Sequence, residues 1–154
     1  MSDGSLVLTG GVRLDRWYGI HQDQNSSGIL PTGTGLGGFH RDFEGTYQVR
    51  NGTIESSFVV VAWALSESGG DSGGFICFPG SHKQNFPLPD SFTQRKTVLP
   101  PGAVSPRIKK GSMILFTEGL THGTMPWVAP WTRRTLLYLL QGTYISHPHL
   151  PMRT

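Results

Sequence analysis

The sequence predicts an all-β fold, a sandwich or barrel of short antiparallel strands with little helix. Three observations carry that expectation. Glycine (21) and proline (11) together exceed a fifth of the 154 residues, a density that suits many turns better than long helices. The apolar runs are short and are bounded by Gly, Pro, Asn and Asp. No stretch holds a 3.6-residue apolar period long enough for a helix of convincing length.

Strands are expected near residues 12–20, 38–43, 57–66, 73–79, 95–99, 112–117 and 133–144. The run Phe58-Val59-Val60-Val61-Ala62-Trp63 is β-branched and aromatic, which suits a pleated, half-buried surface. Ser66 to Gly74, SESGGDSGG, reads as a tight loop between two paired strands. Pro79-Gly80-Ser81-His82 reads as a turn directly after a strand. Residues 84–111 hold Pro87, Pro89, Pro100, Pro101 and Pro106 and read as an irregular excursion with one short strand. No internal repeat is visible, and Gly28 to Gly38 is glycine-rich. The whole chain, 1–154, is expected to form one domain with its own core.

Charge and cysteine narrow the function classes. The net charge is +3, with 15% charged residues. The densest basic patch, Arg107, Lys109 and Lys110, lacks interleaved aromatics and reads as a solvated loop, so no nucleic-acid partner is expected. Cys77 is the only cysteine, which excludes an internal disulfide, and its apolar setting suggests an inert thiol. The start MSDGSLVLTGG lacks the basic-then-apolar pattern of a signal peptide. Phe58 to Leu65, the longest apolar stretch, is too short to cross a bilayer. A cytoplasmic protein without a membrane partner is expected. The sequons at Asn25-Ser26-Ser27 and Asn51-Gly52-Thr53 read as chance matches.

The histidines carry the chemistry. His40-Arg41-Asp42 is an H-x-D triplet on an expected strand, where side chains two apart share a face and can meet one metal ion. His122 follows the strand at 112–117 and can supply a third ligand. Two imidazoles and one carboxylate on one face of an octahedron leave three positions open, the facial triad of non-haem iron(II) oxygenases. Eleven residues after His122, Arg133 opens an apolar strand. A guanidinium there is costly unless it meets an anion, and a dicarboxylate co-substrate offers a bidentate partner. Arg133 and Arg134 point to opposite faces, so only one of them looks inward.

Two longer segments extend the pattern. Phe58 to Pro89, FVVVAWALSESGGDSGGFICFPGSHKQNFPLP, resembles the central segment of phytanoyl-CoA dioxygenase-like proteins. Gly111 to Tyr138, GSMILFTEGLTHGTMPWVAPWTRRTLLY, is similar to their C-terminal segment with its H-G-T and spaced Arg. The resemblance covers roughly residues 36–146. It implies a double-stranded β-helix (a jelly roll, cupin-like). It also implies an Fe(II)- and 2-oxoglutarate-dependent dioxygenase that uses O2, hydroxylates a small-molecule substrate and releases succinate. Carried over by position, His40, Asp42 and His122 hold iron, and Arg133 grips the distal carboxylate of 2-oxoglutarate. Thr124 adds a hydroxyl there, and Trp63 lines the co-substrate pocket. Arg41 falls where some members set a polar side chain near the co-substrate. The carboxylate of Asp42 favours hydroxylation over halogenation. Only 39 residues precede His40, where the family carries a longer, partly helical region. The strands and lid segments that complete the family's pocket are then either missing, supplied by another subunit of a homo-oligomer, or carried by a longer gene product of which this chain is a fragment.

Other features of the chain fit this pattern less well. His21-Gln22-Asp23 is a second H-x-D, but its distance to the FVVVAWAL strand is twice as long as that from His40. Gly33-Thr34-Gly35-Leu36-Gly37-Gly38 matches G-x-G-x-x-G, yet a strand rather than a helix is expected after it. His82 fits a turn residue, and His147 and His149 fit a solvated end. Trp127 fits a pocket wall and a core aromatic equally well. The alternative function is a non-catalytic cupin-like binding module or a degenerate fragment. A third reading, an isomerase or hydrolase on the same barrel, leaves Arg133 idle.

Overall fold

The computed structural model describes residues 11–24, 38–41, 47–56, 58–84, 86, 88–89, 91 and 98–142. Eight strands lie among them: β1 (Val12–Gln22), β2 (Tyr47–Arg50), β3 (Thr53–Ser56), β4 (Phe58–Ala64), β5 (Gly74–Cys77), β6 (Met113–Thr117), β7 (His122–Met125) and β8 (Arg133–Gly142). Short 3-10 turns cover Gly70–Ser72 and Ser81–Lys83. No helix among the described residues is long and apolar enough to cross a membrane.

Six of the strands form two facing layers, and β2 and β3 pair as a separate hairpin. One is an antiparallel sheet in the order β1-β8-β4-β6. The other is built on the β5-β7 pair, which single bridges extend on both sides, His40 to His122 and Val104 to Cys77. Its order is therefore the His40 segment, β7, β5 and the Val104 segment. Two four-membered antiparallel layers closing on one core make the expected jelly roll. Val60, Ala62, Leu137 and Leu139 pack at one end of that core, with Tyr18 and Ile20. Ala64, Phe75, Ile108 and Leu120 pack at the other, and Ile114 and Phe116 touch both groups.

The loop at 66–74 departs from expectation. Ser66 to Gly74 does not join paired strands, because both edges of β4 are taken by β8 and β6. The loop crosses instead from one layer to the other. Gly73 there has φ +87°, and a Cβ on it would stand 2.0 Å from the Pro126 carbonyl oxygen. Asn51-Gly52, read from sequence as part of a chance sequon, is the turn of the β2–β3 hairpin. Both residues have positive φ, 51° and 77°, as a two-residue hairpin turn that follows strand twist requires. At the expected strand 95–99, residues 98 and 99 are not in a strand and 95–97 lie outside the described residues. Gly33–Gly37, Asn25–Ser27, His147 and His149 lie outside them as well.

Candidate metal and anion site

His40 and His122 meet between the layers. Their backbones exchange two hydrogen bonds, His40 N–H to His122 O at 2.8 Å and His122 N–H to His40 O at 3.0 Å. Residues directly opposite in an antiparallel pair present side chains to one face, and the two ring centroids stand 4.2 Å apart. The His122 ring also lies 4.8 Å from that of Phe116, which faces inward from the other layer. The histidine pair therefore points into the core.

Local sequence explains this placement. Phe39, on the opposite face from His40, is buried and packs against Phe78 at 4.7 Å. Gly123 lets the His40 segment lie against β7, since a Cβ on it would come within 2.5 Å of the Gly38 carbonyl oxygen. The Pro79-Gly80 turn brings Ser81 beneath the start of β7, where its buried Oγ accepts the Thr121 N–H at 2.8 Å. Thus P-G-S and H-G are packing devices that hold one imidazole opposite the other. His82 follows in the turn, and burial, then Lys83, lowers its pKa from the usual 6.5.

The tautomer of His122 follows from its partner. Nδ1 lies 2.7 Å from the Leu120 carbonyl oxygen, which can only accept, so Nδ1 carries the proton. The lone pair is then on Nε2, the arrangement that suits a metal ligand with an oriented ring. Asp42 lies outside the described residues. Among the described residues no third His, Cys, Asp or Glu joins the pair.

Arg133 is the second unusual feature. It starts β8 with only 4% of its surface exposed, while Arg134 is exposed on the other face. Burial pushes its pKa down to about 10, below the ordinary range of a guanidinium. Nη1 donates to Oε1 of the buried Gln22 at 3.2 Å, whereas Nε has no acceptor. No carboxylate pairs with Arg133 among the described residues. Gly74 leaves room beside it, as a Cβ there would stand 3.3 Å from Nε. A buried cation met by a neutral amide rather than an acid is suited to an incoming anion.

Gln22 was missed in the sequence reading, which treated the triplet 21–23 only as a rival metal pair. Strand alternation is the signal that finds it. Gln22 pairs with Arg133 and points inward, so His21 and Asp23 point outward and are exposed. Thr124 shares the inner face of β7 with His122, opposite Phe75. Trp63 requires a correction. It pairs with Leu136 and Met113 on the outer face of the four-stranded sheet, 40% exposed, while the inward positions of β4 are Val60, Ala62 and Ala64. One residue of strand pitch turns it away from Arg133. Arg41 also points elsewhere, donating to the carbonyls of Gln84 and Phe86. Trp127 is a core aromatic, buried, with its indole N–H on the Trp131 carbonyl. Arg107, Lys109 and Lys110 are exposed.

The jelly roll sets two inward imidazoles on one layer and, on the other, a buried arginine without an acidic partner among the described residues, groups whose chemistry suits a metal and an organic anion. The family model described as phytanoyl-CoA dioxygenase (PhyH) matches residues 19–135, and the chain belongs to that family. None of the curated proteins matches the chain. Among solved structures it is similar to HygX from Streptomyces hygroscopicus with nickel and 2-oxoglutarate bound. That match has 24% identity and a TM-score of 0.69, over 91% of this chain and 62% of HygX. HygX with nickel, 2-oxoglutarate and hygromycin B matches at 21% identity and a TM-score of 0.68, over 91% of this chain and 60% of that one. EctD from S. alaskensis with 2-oxoglutarate and 5-hydroxyectoine matches at 22% identity and a TM-score of 0.61, over 86% and 45%. The chain thus spans about three-fifths of the length of HygX.

Proposed function

We propose that the chain is an Fe(II)- and 2-oxoglutarate-dependent dioxygenase that hydroxylates a small molecule. The observation that carries this reading is the pairing of two inward imidazoles with a buried arginine that has no acidic partner among the described residues. Family membership and the 2-oxoglutarate in the HygX and EctD structures support it. Residues 1–154 act as one jelly-roll domain, in the cytoplasm, and associate with further copies of the chain.

The donor set fits iron(II). His40 and His122 supply two nitrogens. Asp42, two residues after His40, supplies the carboxylate that completes a facial triad. Iron, when bound, supplies O2 activation, so that a substrate C–H becomes C–OH while 2-oxoglutarate and O2 yield succinate and CO2. The chain's own groups do the placing. The Leu120 carbonyl holds the His122 ring in one tautomer. Arg133 receives the distal carboxylate of 2-oxoglutarate, Gln22 keeps the guanidinium in register, and Thr124 offers its hydroxyl to the same carboxylate. Phe75 and Phe116 wall the site with apolar rings that keep water out.

Anaerobic titration with Fe(II) and 2-oxoglutarate tests this. Chelation is expected to raise a weak visible charge-transfer band, and air is then expected to release succinate. Neither band nor succinate would make the chain a binding module.

A further inference from the structure

Arg41 stands between His40 and Asp42, and its side chain is turned from the imidazoles, to the face that Phe39 also takes. The residue is half-buried, with Nε shielded from solvent. Nη1 donates to the Gln84 carbonyl at 3.0 Å and Nη2 to the Phe86 carbonyl, across 43 and 45 positions of chain. A planar fork on two carbonyls fixes a direction as well as a distance, which one flexible donor cannot do. The stretch that accepts these bonds also holds the other histidine. Phe78 N–H donates to the Thr121 carbonyl at 2.9 Å, and the Ser81 hydroxyl accepts the Thr121 N–H at 2.8 Å. Both backbone groups of the residue before His122 are thereby engaged. The Phe39–Phe78 contact at 4.7 Å secures the residue before His40 to the same stretch. Phe78, Ser81, Gln84 and Phe86 therefore fasten the chain next to both imidazoles.

We propose that Arg41 is a positioning residue for the metal site: its guanidinium, forked over the Gln84 and Phe86 carbonyls, fixes the segment that carries His40 and Asp42 opposite His122. The inference rests on the proposed function for the roles of those three ligands. Arg41 acts through the backbone. Anchored from the outer face, residue 41 restrains the ligand on each side of it before the metal binds. A site whose ligands are already ordered leaves less ordering to the binding step and so binds more tightly. Groups that only orient metal ligands contribute about 10–100-fold in affinity. A bare charge effect has the opposite sign. A guanidinium near a divalent cation repels it, so with no positioning role its removal would tighten Fe(II) binding. The sign of one substitution therefore separates the two.

Anaerobic Fe(II) titration of the full chain tests this, with urea unfolding of the metal-free chain beside it. Arg41→Met keeps the apolar stem and removes the fork and the charge. Its Fe(II) affinity is expected to fall about 10–100-fold, with the circular dichroism of the folded chain unchanged. Arg41→Lys restores the charge and a single point donor, and its affinity is expected to lie between those of Arg41→Met and wild type. Unchanged or tighter Fe(II) binding in Arg41→Met would overturn the proposal, even if its metal-free urea midpoint fell, since that pairing marks a purely structural contact. An Arg41→Lys chain that binds Fe(II) as wild type does would overturn it too, because the fork would then be dispensable. Those results leave the proposed function standing. A wild-type chain that takes up no Fe(II) removes the proposed function and this inference together.

Discussion

Among the described residues His40 pairs with His122 through a bridge, and His122 stands on a four-residue strand. Arg133 instead opens a ten-residue strand with partners on both sides. The two ends of the site are therefore held by different means. At the imidazole end, side-chain and packing fasteners add to the described ladder bonds: the Phe39–Phe78 contact, the Ser81 hydroxyl and the missing Cβ of Gly123. At the anion end the register of a long sheet decides which side chain faces inward. A ligand removed at the first end should release the metal. A change at the second should alter co-substrate binding and stability while leaving the metal in place.

The largest effect is expected at the metal end. His122→Ala should cost more than about 100-fold in Fe(II) affinity, because even groups that only orient a ligand are worth about 10–100-fold. Asp42→Ala should likewise abolish hydroxylation by loosening iron. Titration of Fe(II) under anaerobic conditions measures both. Affinity within tenfold of wild type in His122→Ala would remove that residue from the metal set.

Arg133→Met should separate the two ends. Its 2-oxoglutarate requirement should rise about 10–100-fold, as for a lost charge-assisted bond of about 1.5–3 kcal/mol, with Fe(II) affinity unchanged. Ligand-free stability should move the other way. Burial holds the Arg133 pKa at about 10, below the ordinary guanidinium value. The folded state thus disfavours the charged form. The cost is present in full at neutral pH and is relieved only as pH climbs above about 10. At 1.36 kcal/mol per unit it is on the order of 3 kcal/mol. Part of the gain is lost because Gln22 is left without its donor, so the urea midpoint should rise by the equivalent of about 1–2 kcal/mol. A midpoint that falls would mean that the guanidinium is already compensated.

Gln22→Glu sharpens the point. A carboxylate in that position would pair with Arg133 and compete with the co-substrate. The 2-oxoglutarate requirement should rise about tenfold, while Gln22→Leu, which only removes the tether, should raise it less. Equal effects from the two variants would limit Gln22 to packing.

The meeting of His40 and His122 was legible because both residues stand in motifs. H-x-D, P-G-S-H and H-G-T each place unusual residue types at fixed spacing, and His40 and His122 do meet. The anion end was legible only halfway. Arg133 stood out as a charge in an apolar run, but Gln22 is an ordinary residue whose importance comes from pairing with Arg133 across 111 positions of chain. Trp63 misled for a related reason. In a strand apolar on both faces, hydrophobicity no longer distinguishes inward from outward, so FVVVAWA does not reveal which side its tryptophan takes. Strand partners were equally hidden. Nothing between Ala64 and Gly74 tells that both edges of β4 are already occupied.

The smallest effect is expected from Arg134→Ala, which tests the register directly. Arg134 differs from Arg133 by one residue, and its guanidinium is exposed on the outer face beside the end of β4. Its backbone N–H bonds the Ser66 hydroxyl at 2.7 Å and its carbonyl accepts from Leu65 at 2.9 Å. Substitution of the side chain keeps both bonds. The 2-oxoglutarate requirement should stay within twofold of wild type, and stability within about 0.5 kcal/mol, the range of surface changes. A one-residue slip of β8 would exchange the two arginines between faces, together with every core residue of the strand. In that case Arg134→Ala, and not Arg133→Met, would raise the requirement for the dicarboxylate.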